Sequence, residues 1–365
     1  MAVTEETGTT SIDGKPQSAW SGLSLGSIPT PYWIVGAVML LMPVLVGPFF
    51  LFQVFGWALI LGMIALSLMF LGGYGGMVSL VQMSVAACAA YMLAIFGDSA
   101  ITQISLGWPW WVAIPIALII ATGFGTLTGA LAVRTEGIYT IMITLAIASA
   151  FFYFTRQNYV LFNGFSGFNG VKPPQLFGVD WRQPIPFYYL TLFWAAVAYL
   201  SVLYVSRAPF GLALQGVRDN ARRMEALGYN VTAHRIAAYV FASFIAAVAG
   251  ILLVWLNGQV SPGTAGIGPA IDILIIAVVG GLARPVGPFI GAIIYVLLRT
   301  FALDFMVSLG LSGERFQLLV GLVFLGIVFW SPDGILGLGE RWRNRMNSTD
   351  RLTGEARDKD GGSEA

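Results

Sequence analysis

Between Tyr32 and Val133 the only acidic or basic side chain is Asp98. A stretch of about a hundred residues with so little charge excludes a soluble domain, whose surface needs roughly a quarter of its residues charged. Histidine and cysteine are each present once, as His234 and Cys88, which excludes an intramolecular disulfide and an imidazole or thiolate metal cluster. Cys88 lies in an apolar run and reads as a small buried residue. Lysine occurs at 15, 172 and 359 alone, never followed by Ser or Thr, so the chain lacks a G-x-x-x-x-G-K-[ST] phosphate loop. H-E-x-x-H does not occur, the one G-x-S-x-G match, Gly22 to Gly26, lies in the polar N-terminal tail, and with a single histidine no catalytic or metal-binding residue is expected. The net charge is +1 with scattered basic residues, which speaks against nucleic acid as a partner.

What is abundant is apolar surface: 57% of residues are hydrophobic and 10% charged. Runs long enough to cross a bilayer lie at roughly 32–50, 54–72, 77–96, 109–133, 137–154, 186–206, 236–256, 271–303 and 315–331. The eighth is interrupted by Gly280, Gly281, Arg284, Pro285, Gly287 and Pro288. Arg207, Arg218, Arg222, Arg223 and Arg235 mark one connection as cytoplasmic, and Arg341, Arg343 and Arg345 mark the segment after the last run. An even number of crossings must separate them, so the eighth run counts as two spans, roughly 264–282 and 288–303, or as a re-entrant loop. The expected fold is all-α, a polytopic membrane helix bundle of about ten transmembrane helices with both termini cytoplasmic. Residues 1–31 read as a flexible cytoplasmic tail, 32–345 as the membrane domain and 346–365 as a disordered tail. The 155–185 connection falls outside although Arg156, Lys172 and Arg182 face Asp180 alone, against the charge rule.

One connection is more than a turn. In 207–235, Leu214, Val217, Ala221 and Met224 recur at helical spacing, with Arg218, Arg222 and Glu225 on another face and Gly228 as a C-terminal stop. Asn230 or Thr232 can cap a second short helix leading into the span at Ile236. The pair either lies on the lipid surface or docks into a cytoplasmic protein; its apolar anchors and basic load are light for a lipid-bound helix.

Within the membrane, Gly72, Gly73, Gly75 and Gly76 allow an unwound helix or close backbone approach, and Ser79 and Gln82 offer uncharged hydrogen-bonding groups for a translocation path. Gly125 and Gly129 read as helix packing. Asn163, Gly164, Ser166, Gly167 and Asn169 form an external loop that gates the path, contacts a delivery protein or is an ordinary turn. Asp272 either binds a cation or sits near a helix start, held by capping and the helix dipole.

The stretch SRAPFGLALQGVRDNARRMEALGYNVTAHR, Ser206 to Arg235, resembles the coupling loop of permease subunits from branched-chain amino-acid ABC importers (Liv-type, M-subunit-like). GYGGMVSLVQ (73–82), NGFSGFNGV (163–171), AVVGGLARPVGPFIGA (277–292) and WSPDGILGL (330–338) resemble further segments of that family in the same order. The sequence departs from the pattern over Met83 to Ala90. The resemblance implies a non-enzymatic subunit in a bacterial inner membrane, with a homologous second permease, two ABC ATPase subunits carrying ATP and Mg, and an extracytoplasmic substrate-binding protein. It implies that Leu214, Val217, Ala221 and Met224 supply an apolar docking surface for the ATPase, whose register Arg218, Arg222, Arg223 and Glu225 set. A urea or short-amide importer has a similar layout; an ion-coupled secondary transporter and a structural scaffold are readings from other classes.

Overall fold

The computed structural model describes residues 39–43, 45–135, 137–174, 178, 180–308, 321–322 and 325–326. Both tails, residues 32–38 and 44 of the first apolar run, most of the last, the Arg341 to Arg345 group and the closing WSPDGILGL segment lie outside the described residues. By its contacts the chain separates into two units, Met1–Val46 and Gly47–Ala365. In the first, residues 39–43 are helical. The remaining described helices belong to the second.

Helix α1 runs from Pro48 to Tyr74. Pro48 sits at its first turn, where a missing N–H costs nothing, and π-helical turns occupy Leu51–Gly56 and Phe70–Tyr74. Every residue from Ala58 to Leu71 is buried, so this helix is apolar on all sides because it is surrounded on all sides. It is followed by α2 (Gln82–Phe96), α3 (Trp110–Ala132), α4 (Ile138–Gln157) and α5 (Pro184–Arg207). Two short helices, α6 (Pro209–Asp219) and α7 (Ala221–Ala226), precede α8 (Val231–Asn257), α9 (Ile267–Gly280) and α10 (Gly287–Ser308).

Among the described residues five helices are long and apolar enough to cross a membrane: α1, α3, α4, α5 and α8. They divide by burial. The apolar windows of α1 and α8 are 89% and 72% buried, those of α3, α4 and α5 33%, 28% and 28%. The outer three expose Ile119, Leu127, Ile138, Met142, Phe193 and Leu200. Each such side chain held in water forgoes about 1.5–3 kcal/mol of transfer energy, so these faces belong against lipid.

Small residues bring the core helices together. In α3 the buried positions include Ala113, Ala117, Ala121, Gly125 and Gly129, a stripe repeating every fourth residue. Gly125 lies against Ser243 and Gly129 against the ring of Tyr239, both on α8. Gly250 of α8 meets the Ala86 carbonyl of α2, with no room for a side chain between them. In lipid, where apolar surface gains nothing by association, such close approach is what holds helices together.

Two of the expected spans are shorter as helices than their apolar runs. The 77–96 run is helical only from Gln82 to Phe96, and the 264–282 run only from Ile267 to Gly280. At 1.5 Å per residue these helices span about 21–23 Å. Gly75 and Gly76 before the first, and Pro262, Gly263 and Gly266 before the second, keep the flanking backbone out of the helix.

The connections gather into two sets. Arg218 donates to the Gly73 carbonyl, and Gly73 also lies against the Leu282 carbonyl. In the other set, strand β1 (Phe168–Asn169) pairs antiparallel with β2 (Gln259–Val260), and the Ala100 amide donates to the Asn169 carbonyl at 2.9 Å. Helix α8 links the sets and, with 27 residues, holds them about 40 Å apart. Helix α9 leaves the set of β2 and ends at that of Leu282, so it passes between them instead of turning back.

Candidate functional site

The site begins where α1 comes apart. Its last turn is π-helical, and beyond it the amides of Gly75 and Met77 both donate to the Leu71 carbonyl, at 3.1 and 2.9 Å. Gly76 follows at φ +68°, a conformation that closes off the helix and favours glycine. The chain then runs without helix to Val81 before α2 starts at Gln82. Of the expected path residues, Gly73, Gly75 and Gly76 form this turn, whereas Ser79 and Gln82 are fully buried beneath it.

Ser79 faces the Tyr239 hydroxyl of α8. The Ser67 hydroxyl of α1 reaches Gln82 Oε1 at 3.2 Å, and the Leu80 amide donates to Thr144 Oγ1 of α4 at 3.2 Å. The Gln82 Nε2, Ser84 Oγ and Ser243 Oγ atoms are buried without a hydrogen-bond partner. A row of uncharged polar groups therefore crosses the contact of α1, α2, α4 and α8, and it is enclosed in this conformation. A recess of about 460 Å³ at the same end is lined by Tyr74, Leu203, Ser206, Arg207, Leu212 and Gln215. A larger groove, about 590 Å³, runs along Leu118 to Ala130 and Phe244. Its polar groups are threonine hydroxyls, which cannot compensate the charged ends of an amino acid.

The first of the two helices expected in 207–235, the one that carries Leu214 to Met224, is itself divided in two. Asn220, at φ −157° and ψ 94°, breaks the run, and its side chain accepts from the Arg223 amide to cap α7. Leu214 and Val217 belong to α6 and are buried within the chain itself, at 0% and 1% exposure. Their side chains are taken up by the chain's own packing. Phe210 stacks on His234 with centroids 5.7 Å apart, and Gln215 Nε2 donates to the Ser206 and Gly211 carbonyls, so α6 is fastened to α5 and α8.

What stands free is α7 and its flank. Arg222, Arg223 and Glu225 are exposed, Ala221 and Met224 are half-buried, and Leu227 and Tyr229 expose apolar surface beside them. Met224 packs on Gly216, and Gly228 at φ +87° ends the helix. Asn230, not Thr232, caps the next helix by accepting from the Ala233 amide at 3.0 Å. That helix is α8 itself, which runs unbroken from Val231, so the expected second cytoplasmic helix is the first turns of a membrane helix.

On the opposite end, Asn163 adopts the left-handed conformation, φ 55°, and its Nδ2 donates to the Gly167 carbonyl at 2.7 Å. Gly164 lies against the Tyr159 ring and Gly167 against the Val260 carbonyl. Asn169 is in β1, paired with Gln259. This loop is a built turn pinned by the strand pair, with Ser166 and Asn169 on its exposed side. Its arginines have local roles: Arg156 lies over the rings of Phe152 and Phe165, 5.9 and 5.7 Å from their centroids, and Arg182 lies against Gly258. These contacts give a physical reason for basic residues in a loop where the charge rule expects few.

Asp272 is not at a helix start. It lies beyond the first turn of α9, beside the Tyr295 hydroxyl and in the field of Arg299 of α10, which in turn lies over the Trp57 ring of α1 at 5.9 Å. Sequence reasoning misses Arg299, although a lone arginine inside the 288–303 run is an available signal. It also misses the reach of Arg218 to Gly73, for which spacing carries no signal. Among the described residues no group of three His, Cys, Asp or Glu side chains is placed to hold a metal.

The high-affinity branched-chain amino acid transport system permease protein LivM of Salmonella typhimurium is 23% identical over 72% of this chain and 63% of its own length. That of Escherichia coli is 24% identical over the same shares. The ribose import permease protein RbsC of Haemophilus influenzae is 22% identical over 56% of this chain and 64% of its own length. The chain thus spans about 63% of the length of the first two relatives. No solved structure matches it. The family model described as branched-chain amino acid transport system / permease component matches residues 50–328, which contain the broken end of α1, the α6–α7 segment and both sets of connections, and the chain belongs to that family.

Proposed function

We propose that this chain is the membrane-spanning permease subunit of an ATP-driven importer for branched-chain or related amino acids. The observation that carries the reading is α7, a short charged helix exposed on a base that is packed into the membrane helices. A surface of this kind has no use within a lone bundle and suits a partner that pushes on it. The partners are two ABC ATPase subunits, which hold the ATP and Mg, a homologous second permease, and an extracytoplasmic protein that delivers the substrate. Docking falls to Arg222, Arg223, Glu225, Leu227 and Tyr229, with Met224 and Ala221 behind them.

The setting is a bacterial cytoplasmic membrane crossed about ten times, with both termini, α7 and the Gly73 turn on the cytoplasmic side. The strand pair and the Asn163–Asn169 turn then face outside, where Ser166 and Asn169 are placed to meet the delivery protein. Ser79 and Gln82 become part of the path when the helices around them separate. The branched-chain substrate is supported by the two relatives named for it. Asp272 does not favour an ion-coupled transporter, because the positive charge of Arg299 and the Tyr295 hydroxyl lie near its carboxylate.

Two measurements test this. In a Cys88→Ala background, a membrane-impermeant maleimide applied to intact cells is expected to label Phe165→Cys and to reach Arg222→Cys only after permeabilisation. Labelling of Arg222→Cys in intact cells refutes the topology. Uptake of labelled leucine is expected to be competed by isoleucine and valine; competition by urea, a short amide or ribose instead would reassign the substrate.

A further inference from the structure

The sequence pattern groups Arg218 with the contacts to the ATPase, but its side chain, 39% exposed, reaches across to the end of α1. Its Nη1 donates to the carbonyl of Gly73, and its stem covers Gly76 so closely that a Cβ there would lie 2.7 Å from Arg218 Cγ. Gly73 belongs to the last turn of α1, whose carbonyls have no helical amide to accept from, and a guanidinium supplies both the donors and the charge that a helix C-terminus favours. Asp219 fixes the group from the other side, accepting from Arg218 Nε at 2.9 Å and pairing with Nη2 at 2.9 Å. The next residue is Asn220, the break between the anchored α6 and the exposed α7.

We propose that Arg218 is a positioning residue that carries the movement of α7 to the broken end of α1. This rests on the importer reading above. A push on α7 that is passed through Asn220 to the last turn of α6 moves the Arg218–Asp219 pair there, and with it the Gly73–Gly76 turn. That turn leads through Ser79 to Gln82, the residues enclosed at the helix contact. Leu282, packed on the far side of Gly73, ties the α9–α10 connection to the same point. The arrangement accounts for glycine at these positions: at Gly73 a side chain would collide with the Leu282 backbone, at Gly76 with the arginine that holds the turn.

The test uses the full complex, with permease partner, ATPases and binding protein, in proteoliposomes, and reads substrate taken up per ATP hydrolysed. Arg218→Met keeps the stem over Gly76 and removes the donors and the charge. It is expected to retain the ATPases on purification and to hydrolyse ATP, while uptake per ATP falls at least ten-fold. Arg218→Lys should recover part of that loss, and Gly76→Ala, which displaces the arginine stem, should reproduce it with Arg218 intact. Loss of ATPase binding in Arg218→Met would return the residue to the docking surface and overturn the proposal. A wild-type ratio in that variant, or failure of it to fold, overturns it too, the latter by assigning the contact to structure alone. If the wild-type complex shows no ATP-driven uptake, the importer reading itself fails and this inference with it.

Discussion

Gly250→Val is expected to prevent the chain from accumulating in folded form. Gly250 lies against the Ala86 carbonyl, a backbone atom inside helix α2, so the added atoms have no flexible side chain to displace. Relief would require α8 and α2 to move apart, and the same face carries the Gly125–Ser243 and Gly129–Tyr239 approaches from α3. Overpacking a core with one side chain costs about 1–3 kcal/mol where neighbours can adjust, and a collision with helix backbone should exceed that. Gly123→Ala is the control, because a Cβ there meets nothing within 4 Å and the residue is exposed. It should leave stability unchanged or raise it by up to about 1 kcal/mol, since alanine is the better helix former. Size-exclusion profiles and thermal stability in detergent distinguish the two; a Gly250→Val protein as stable as the control would contradict the packing described.

Glu225→Arg and Gly228→Pro are expected to abolish uptake, at least a hundred-fold down, without removing the permease from the membrane. Glu225 is exposed on α7, and reversing its charge alters the complementarity that selects a partner without disturbing a buried contact. Gly228 holds φ +87° and its amide donates to the Glu225 carbonyl at 2.9 Å, whereas proline fixes φ near −65° and has no N–H. The end of α7 is therefore rebuilt while α6 and α8, anchored by Leu214, Val217 and the Phe210–His234 stack, stay in place. These variants differ from Arg218→Met in one respect: they should lose the ATPases on purification. Wild-type uptake by both would remove α7 from the docking surface.

The lengths of apolar runs make the membrane helices legible, since about 20 consecutive apolar residues match the thickness of a bilayer and exceed what a soluble core helix needs. Charge parity assigns sides to the connections, and the contacts of Gly73, Arg218 and Leu282 and those of Asn169, Ala100 and Gln259 form two separate sets, while the side each set faces rests on the charges alone. The break at Asn220 is hidden because the apolar spacing of Leu214, Val217, Ala221 and Met224 continues across it, although an Asn three residues before the amide it caps is readable as a helix start. Periodicity also cannot show which apolar face is already in use, so Leu214 and Val217 look available when the chain buries them itself. The contacts that sequence reasoning misses join distant parts of the chain: Arg218 to Gly73, and Asp272 to Tyr295 and Arg299. Local spacing carries no record of such pairs.

The claim that the chain is driven from the cytoplasmic side is tested most directly in proteoliposomes containing the chain with its second permease, ATPases and loaded binding protein. Uptake is expected to follow ATP hydrolysis, to require the binding protein, and to persist when ionophores collapse proton and sodium gradients. Uptake that proceeds without ATP and stops with the ionophores would contradict it.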